Sequence, residues 1–392
     1  MEGESMSEWK EVRLGDITDI IGDGIHGTPV YDENGEYFFI NGSNLYKGKI
    51  IINNDTKKIG YEEYLKHKKV LNKNTILLSI NGTIGNIALY NGEKCILGKS
   101  ACYININHLF DKFFIFYILS SHKFLKEITF KANGTTIKNV SLKQIRDYTF
   151  YIPSSYEKQK EISGILSSLD AKIETNNKLN EKLEEMAQAI FKSWFVDFEP
   201  FKDKPFHETE LGMIPEGWEV KNIDHLYDIK YGNNLSTSEI KKSGQYPVYG
   251  ANGVIGYYDV SNCNDYSVLI TSRGNGSGDV YRTHSSKSYV TNNSFIVKPK
   301  SNYSWIELSY IYYSFLNINF KSYTNGSAQP QLTNKSIHNI DILLPTKKEI
   351  QNFCNLTMPI VYNIELLMRE NDRLASLRDT LLPRLMSGEL IV

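Results

Sequence analysis

The chain has 392 residues, of which 41% are hydrophobic and 12% aromatic, and this composition excludes an intrinsically disordered protein. Its 44 basic and 45 acidic side chains nearly cancel, which excludes a uniformly basic surface but not a nucleic-acid binder with segregated charge. No apolar run is long enough to span a membrane, and the four scattered cysteines lack the spacing of a zinc site or a disulfide framework, so a cytoplasmic location is expected.

Residues 1–155 are predicted to form a first globular domain that is mostly strand with some helix. Short β-branched or aromatic segments bounded by Gly, Asn and Asp mark its strand candidates, which are 37–40, 49–52, 75–80, 87–90 and 101–106. The pair Asn91-Gly92 is typical of the tight turn of a β-hairpin. Helices are predicted over 111–120 and, behind a Ser cap, over 141–147.

A long amphipathic helix is predicted over 157–194, because this stretch contains no proline and repeats apolar residues at steps of three and four. The apolar stripe consists of Ile162, Leu166, Leu169, Ile173, Leu183 and Ile190. At about 1.5 Å per residue the helix would be roughly 50 Å long, which is typical of a coiled coil or a spacer. We therefore interpret 156–200 as a central helical spacer and linker. Residues 196–215 lack periodicity and are predicted to connect to the next domain.

Residues 201–346 are predicted to form a second globular domain, and 347–392 a second helical spacer. The strand candidates of this domain are 246–249, 266–271, 280–283 and 294–297, and its helix candidates are 305–317 and 333–339. A shift of 191 residues aligns Ile162 with Phe353, and the second apolar stripe consists of Phe353, Ile360, Ile364, Leu374 and Leu381. Because Pro359 lies within this stretch, the second helix either starts near Met358 or kinks there.

The two halves of the chain repeat each other. The segment that starts at Trp9 matches the segment that starts at Trp218, and each precedes one domain and one long helix. Asn180 matches Asn371 on the apolar face of the helices, where the amide either fixes the register of paired helices or faces solvent. The predicted order is therefore domain, long helix, domain, long helix.

Motifs of catalysis and cofactor binding are missing from the sequence. Residues 92–100 end in Gly98-Lys99-Ser100 and resemble a phosphate-binding loop, but the glycines lie one residue too far apart and a strand follows where a helix is needed. No ribose-binding carboxylate follows the glycine-rich stretch 273–278 at the required distance, and the histidines lack ligand or triad spacing. The sequence therefore predicts no catalytic, cofactor or metal site.

A nucleic-acid-binding signature remains in polar loops that recur in both halves. Lys and Arg contact phosphates, whereas Asn, Gln, Arg, Ser and Thr read base edges. The candidates in the first half are His26, Thr28, Asn81, Thr83, Lys131, Asn133, Thr135, Thr136, Lys138 and Lys143. Those in the second half are Asn233, Arg273, Asn275, Asn325, Ser327, Gln329, Gln331 and Lys335. One such loop is typical of any soluble protein, but recurrence favours function, and Arg273 is the best candidate for a guanine contact.

The chain resembles the specificity subunit of Type I restriction–modification enzymes. Three segments carry the resemblance: Met186-Ala-Gln-Ala-Ile-Phe-Lys-Ser-Trp-Phe-Val-Asp-Phe-Glu-Pro200, Leu211-Gly-Met-Ile-Pro-Glu-Gly-Trp218 and Leu377-Arg-Asp-Thr-Leu-Leu-Pro-Arg-Leu-Met-Ser-Gly-Glu-Leu390. The resemblance implies an α+β fold with two similar mixed, strand-rich domains separated by two long antiparallel coiled-coil helices, as an internal pseudo-twofold repeat. It also implies a subunit without catalysis of its own, in which each domain reads one half of a bipartite, asymmetric double-stranded DNA site.

The resemblance further implies partners and their cofactors. The paired helices would set the spacing between the half-sites and dock two modification subunits, which bind S-adenosylmethionine and methylate adenine. Restriction subunits would bring ATP and Mg for translocation and cleavage, and this chain would bind no cofactor itself. Two alternatives stay open from the residues alone. One is a self-contained methyltransferase or nuclease with fused recognition domains, and the other is a scaffold whose domains bind protein.

Overall fold

The computed structural model describes residues 9–130, 132, 138–251, 253–326 and 329–390. The contacts between residues divide the chain into two compact units. Unit 1 comprises Met1–Glu174 and Asn371–Val392, and unit 2 comprises Thr175–Glu370. Each unit therefore contains one strand-rich domain and part of each long helix.

Unit 1 contains short strands and mostly short helices. Its strands are β1 (Trp9–Arg13), β2 (Thr18–Asp23), β3 (Tyr37–Ile40), β4 (Leu45–Tyr46), β5 (Lys49–Ile50), β6 (Lys58–Ile59), β7 (Thr75–Ser79), β8 (Ile87–Leu89), β9 (Cys95–Leu97), β10 (Ala101–Ile106) and β11 (Thr149–Pro153). Its helices are α1 (Tyr61–His67), α2 (Lys112–Ser120), α3 (His122–Phe130), α4 (Leu142–Arg146) and the first part of α5 (Tyr156–Phe195). All five residues of β7 (TILLS) are buried, which explains why its three central residues are apolar without alternation.

Unit 2 repeats this arrangement after an added hairpin. Its strands are β12 (Phe206–Thr209), β13 (Gly212–Pro215), β14 (Glu219–Asn222), β15 (Tyr227–Tyr231), β16 (Tyr246–Gly250), β17 (Gly253–Tyr258), β18 (Val268–Thr271), β19 (Val280–Arg282), β20 (Tyr289–Val290), β21 (Ser294–Pro299) and β22 (Asp341–Leu344). Its helices are the last part of α5, α6 (Ile223–Leu226), α7 (Leu308–Leu316), α8 (Asn334–Ile337) and most of α9 (Lys347–Met386).

The sheets of the two units have the same topology. The four-stranded antiparallel sheet has the order β2-β10-β7-β8 in unit 1 and β15-β21-β18-β19 in unit 2. A three-stranded sheet with one parallel pair has the order β6-β3-β9 in unit 1 and β17-β16-β20 in unit 2. The pair β1-β11 likewise corresponds to β14-β22. The predicted internal repeat and the mixed, strand-rich domains are thus confirmed.

In unit 1, the first part of α5 lies against the last part of α9. Ile162 of α5 and Leu385 of α9 are buried in the same hydrophobic core. Farther along α5, Arg378 Nη1 of α9 donates to Asp170 Oδ1 at 2.7 Å, and the Tyr117 hydroxyl donates to Asp170 Oδ2 at 2.6 Å. Later residues of α5 therefore contact earlier residues of α9, so the two helix segments run antiparallel.

In unit 2, the remaining parts of the same helices pack with the same polarity. Asn176 Nδ2 donates to Glu370 Oε2 at 2.8 Å, and the ring centroids of Phe191 and Phe353 are 5.6 Å apart.

The predicted apolar stripes of the two helices are buried or partly buried in both units. The buried residues are Ile162, Leu166, Phe353, Ile360 and Ile364. The partly buried residues are Leu169, Ile173, Leu183, Ile190, Leu374 and Leu381.

Three expectations from the sequence need correction in detail. The helix α9 begins at Lys347 and continues through Pro359, so a start near Met358 is wrong. The buried amide between the helices of unit 2 is Asn176, whereas Asn180 is only partly buried. The pair Asn91-Gly92 does not form a hairpin, because β8 pairs with β7 while β9 pairs with β3.

The segment 196–215 is a packed part of unit 2 and not an unstructured connector. It contains a 3₁₀ turn over Glu199–Phe201 and the hairpin β12–β13. Phe201 and Ile214 are buried in the core of unit 2, and the ring centroid of Phe201 lies 5.2 Å from that of Trp218. Its aromatic residues follow no helical or strand period, which is why the pattern gave no signal. Among the described residues, no helix combines the length and apolarity that a membrane crossing requires.

Candidate nucleic-acid interface

Three loops of domain 1 meet at one end of its four-stranded sheet. Because β2, β10 and β7 are antiparallel neighbours, the end of β2, the start of β10 and the end of β7 lie at the same end of the sheet. Ile25 N donates to Leu97 O at 2.8 Å, and Ile80 N donates to Ser100 O at 3.0 Å. The turn 98–100 therefore lies between the loop that follows β2 and the turn that follows β7.

The segment that ends the predicted polar tip lies on the far side of the β7 turn. Val140 N donates to Ile80 O at 2.9 Å, and Asn81 forms an isolated antiparallel bridge with Asn139. Along this end of the sheet, the order is thus loop 24–28, turn 98–100, turn 79–83 and segment 138–140. Loops that are far apart in sequence form one polar surface.

Domain 2 forms the same loop cluster through equivalent hydrogen bonds. Asn233 N donates to Val290 O at 3.0 Å, Ser272 N to Asn293 O at 2.8 Å, and Leu332 N to Ser272 O at 2.8 Å. In addition, Asn325 and Gln331 exchange two backbone hydrogen bonds of 2.9 and 2.8 Å. The order is loop 232–234, turn 291–293, turn 272–275 and segment 325–332, so the internal repeat extends to the loops.

Two glycines permit the close approach of the first loop to the central turn. A Cβ on Gly24 would lie 2.1 Å from Leu97 O, and a Cβ on Gly232 would lie 2.2 Å from Val290 O. Only glycine fits at such a distance from a backbone carbonyl. Both domains therefore require glycine at the same position of the cluster.

The side chains predicted in domain 1 are partly displayed on this surface. His26, Thr28, Thr83, Lys138 and Lys143 are exposed, and Lys143 lies on α4. His26 Nε2 is 2.9 Å from Asp23 Oδ2, and Thr83 Oγ1 is 3.2 Å from Ser79 Oγ. Asn81 is partly buried, and its Oδ1 has no hydrogen-bond partner among the described residues. The predicted residues Lys131, Asn133, Thr135 and Thr136 lie outside the described residues.

The side chains predicted in domain 2 are mostly exposed. Asn233, Arg273, Asn275, Asn325, Gln329 and Lys335 are exposed, Gln331 is partly buried, and Ser327 lies outside the described residues. Arg273 and Gln331 form an isolated antiparallel bridge, so the turn after β18 and the polar tip are adjacent. Within the described part of the chain, Arg273 makes no ion pair, which leaves its guanidinium available for a ligand.

A partly buried tyrosine packs beneath the domain 2 cluster. The Tyr281 hydroxyl donates to Gly250 O and contacts Ser294 Oγ at the start of β21. Burial raises the pKa of Tyr281 to about 12, so the hydroxyl keeps its proton and its role as donor at neutral pH. The group beneath the loop cluster is therefore an uncharged hydroxyl that is held in place by its hydrogen bonds.

The central turn carries two residues that the sequence reasoning missed. Lys99 in domain 1 is exposed, makes no ion pair with any described residue, and lies between two predicted loops. Asn292 occupies the equivalent turn in domain 2 and is partly exposed. The signal in the sequence is Gly98-Lys99-Ser100, but its resemblance to a phosphate-binding loop does not indicate a place in this surface. The backbone pairing that makes this turn central depends on strands distant in sequence.

The chemistry of both clusters suits hydrogen bonding and charge pairing. Amides, hydroxyls, Lys and Arg can contact base edges and phosphates. Across the described ranges, no group of three or more His, Cys, Asp or Glu side chains has the geometry to hold a metal ion. Side chains of these types are typical of a binding surface.

Comparisons with known proteins agree with this arrangement. The family model described as "Type I restriction modification DNA specificity domain" matches residues 6–185 and again 215–371. The chain is similar to the Type I restriction enzyme MjaIX specificity subunit of Methanocaldococcus jannaschii, with 26% identity covering 100% of this chain and 95% of the relative. It is also similar to the Type I restriction enzyme HindI specificity subunit of Haemophilus influenzae, with 25% identity covering 98% of this chain and 100% of the relative.

A solved structure shares the fold. The S subunit of a Type I restriction–modification system from M. genitalium aligns with a TM-score of 0.55 over 96% of both chains, at 19% sequence identity. At this identity the likeness concerns the fold alone. It is consistent with two strand-rich domains and two long helices.

Proposed function

Because the chain belongs to the Type I restriction modification DNA specificity family, we propose that it selects the DNA target of such a system, each domain reading one half of a bipartite, asymmetric site. The similar proteins are named specificity subunits, so the chain is a DNA-recognition component and not a catalytic one. These names support this function over a self-contained methyltransferase or nuclease.

The loop cluster that occurs once in each domain is the observation that carries the proposal. Two equivalent surfaces with different side chains can read two different sequences. Lys99 in domain 1 corresponds to Asn292 in domain 2, and the turn of Asn81 corresponds to the turn of Arg273. A bidentate amide favours adenine and an Arg favours guanine, so the half-sites are expected to differ and the whole site not to be palindromic.

The long helices support a role in spacing and assembly. Each has 40 residues, which corresponds to about 60 Å at about 1.5 Å per residue. Such helices can fix the distance between two DNA-binding domains. We expect the half-sites to be centred roughly 34 Å apart, which is one turn of the DNA double helix. On α9, Met358, Tyr362 and Leu366 recur at steps of four and are 62%, 60% and 42% exposed. This apolar stripe supports docking of modification subunits.

The proposed assembly supplies the chemistry that the chain lacks. It comprises double-stranded DNA, two modification subunits that carry S-adenosylmethionine, and restriction subunits that carry ATP and Mg. The chain itself is proposed to bind no cofactor and to work in the cytoplasm.

The proposal is tested by co-expressing the chain with its modification subunits and mapping methylated adenines across the host genome. A split, non-palindromic motif is expected. Replacing residues 201–346 with those of another family member should change only one half of the motif. A contiguous or palindromic motif, or methylation or cleavage by the purified chain alone, would overturn the proposal. A complex without salt-dependent, sequence-selective DNA affinity would favour the scaffold alternative.

The spacer role has its own test. Inserting one heptad into residues 165–185 is expected to change the gap between the half-sites or to abolish binding. An unchanged gap with retained methylation would show that the helices do not set the spacing.

A further inference from the structure

Unit 1 contains a large apolar cavity next to the start of β1. Its volume is about 800 Å³, and it lies between the α2–α3 junction, β11 and the end of α9. Trp9, Leu125, Tyr148, Tyr151 and Met386 line it. A cavity of this size and lining can bury several large side chains of a ligand.

The internal repeat provides an equivalent place in unit 2, and there it is filled. Trp218 starts the repeat as Trp9 does, and the shift of 191 residues aligns Met386 with Phe195. The ring centroids of Phe198 and Phe201 lie 5.5 and 5.2 Å from that of Trp218. As a result Trp218 is only 2% exposed. The segment that follows α5 thus covers the tryptophan of its own unit.

In unit 1 the described residues that follow α9 supply no aromatic side chain, although Leu390 packs against the core. Ser387, Gly388 and Glu389 line the cavity at the positions that follow the helix. Gly388 has a φ of +76°, and a Cβ there would lie 3.0 Å from the Trp9 ring, so the backbone turns directly against the indole. Among residues 9–390, as far as the structure describes them, none fills this volume as the two phenylalanines do in unit 2.

The charges around the cavity restrict the ligand further. Asp379 is paired with Arg378 at 2.7 Å, and Glu389 with Arg384 at 3.0 Å. Lys123 lines the cavity, is exposed and makes no ion pair with any described residue. The positive charge of Lys123 would therefore complement a ligand segment that carries a carboxylate near its aromatic residues. The unit 2 segment has this pattern, because Glu199 lies between Phe198 and Phe201.

We propose that the unit 1 cavity binds a segment of a partner subunit in which two aromatic residues flank an acidic residue. The segment would occupy the place that Phe198 and Phe201 occupy in unit 2. A second copy of this chain is a poor source, because its Phe201 is already buried in its own core. This inference rests on the proposed function only in taking the partner from the restriction–modification assembly. Since the equivalent place in unit 2 is filled, one chain would bind one such segment even if the partner is present twice.

A synthetic peptide of residues 196–205 tests the chemistry of the cavity directly. Its binding to the full-length chain is measured by fluorescence anisotropy. We expect saturable binding that weakens about tenfold in Ser387→Trp, which fills the cavity, and in Leu125→Lys, which places a charge in it. The control Ser301→Trp adds the same side chain at an exposed position of unit 2 and should bind as the unchanged chain does. No binding, or equal binding in all variants, would overturn the proposal.

Photo-crosslinking in the co-expressed, purified assembly tests the partner. A benzophenone amino acid replaces Leu125 in the cavity or, as a control, Val70, which is 64% exposed in the same domain. We expect position 125 alone to cross-link to a partner peptide with two aromatic residues, in at most one copy per chain. Cross-links only within the chain, or equal yields at both positions, would overturn the proposal. A lost methylation motif would instead count against the proposed function.

Discussion

Phe353→Ala is predicted to destabilise unit 2 severely. Phe353 is 0% exposed, and its ring centroid lies 5.2 Å from that of Phe195, 5.6 Å from that of Phe191 and 6.1 Å from that of Tyr313. Truncation of a buried Phe costs about 3–5 kcal/mol through lost transfer free energy and the cavity left behind. Because the neighbours are rigid rings held by several elements, the cavity can hardly collapse. We therefore expect about 4–5 kcal/mol.

Urea unfolding of the full chain measures this change. Of the four tryptophans, Trp194, Trp218 and Trp305 lie in unit 2, so intrinsic fluorescence reports mainly on that unit. With an m-value of about 2 kcal/mol per molar, the midpoint of the unit 2 transition should fall by about 2 M. Tyr362→Ala is the matched control, because this residue is on the same helix and 60% exposed. Its effect should stay within about 0.5 kcal/mol. Similar shifts in the two variants would refute the packing argument.

Three further predictions concern recognition, pH and the helix contacts. Arg273→Ala should weaken binding to the cognate DNA by about 1–3 kcal/mol and relax one position of one half-site, which footprinting and motif mapping would show. His284→Gln should flatten the pH dependence of stability between about 4 and 6.5. Burial lowers the pKa of His284 to about 4, so in that window only the unfolded chain takes up the proton and acidification destabilises the native state. Unfolding midpoints across the window check this. Asp170→Ala should cost about 1–3 kcal/mol by leaving the buried Tyr117 hydroxyl without an acceptor, and clearly less in a Tyr117→Phe background, as a double-mutant cycle would show.

Local patterns predicted most elements that have a strong period. The first helix was expected over 157–194 and spans Tyr156–Phe195, because its apolar steps of three and four admit no other regular structure. The N-cap residues Ser141 and Thr333 predicted α4 and α8, and the side chain of each accepts a backbone hydrogen bond in the first turn of its helix. The internal repeat was visible because each half must form the same set of strands and bury the same faces.

Other features could not be read from local patterns. The strand β2 was missed because its sequence, TDIIGD, is only partly buried and does not alternate regularly. Pro359 predicts that α9 starts near Met358 or kinks there, but the helix begins at Lys347 and its apolar face is buried on both sides of Pro359. This packing outweighs the lost hydrogen bond. The candidate residues of the loops stay predictions, since their exposure shows that they are available and not what they contact.

The sequence by itself determined that this protein is a duplicated chain of strand-rich domains and long apolar-striped helices, because periodicity and repetition are local properties. Only the tertiary structure decided which loops share a surface. Lys99 became part of the candidate interface through backbone pairing of its turn with loops near Ile25 and Ile80. Likewise, the filling of one tryptophan site and the opening of its counterpart depend on what packs against Trp218 and Trp9. Such pairings join residues far apart in the chain, and no short window of sequence contains them.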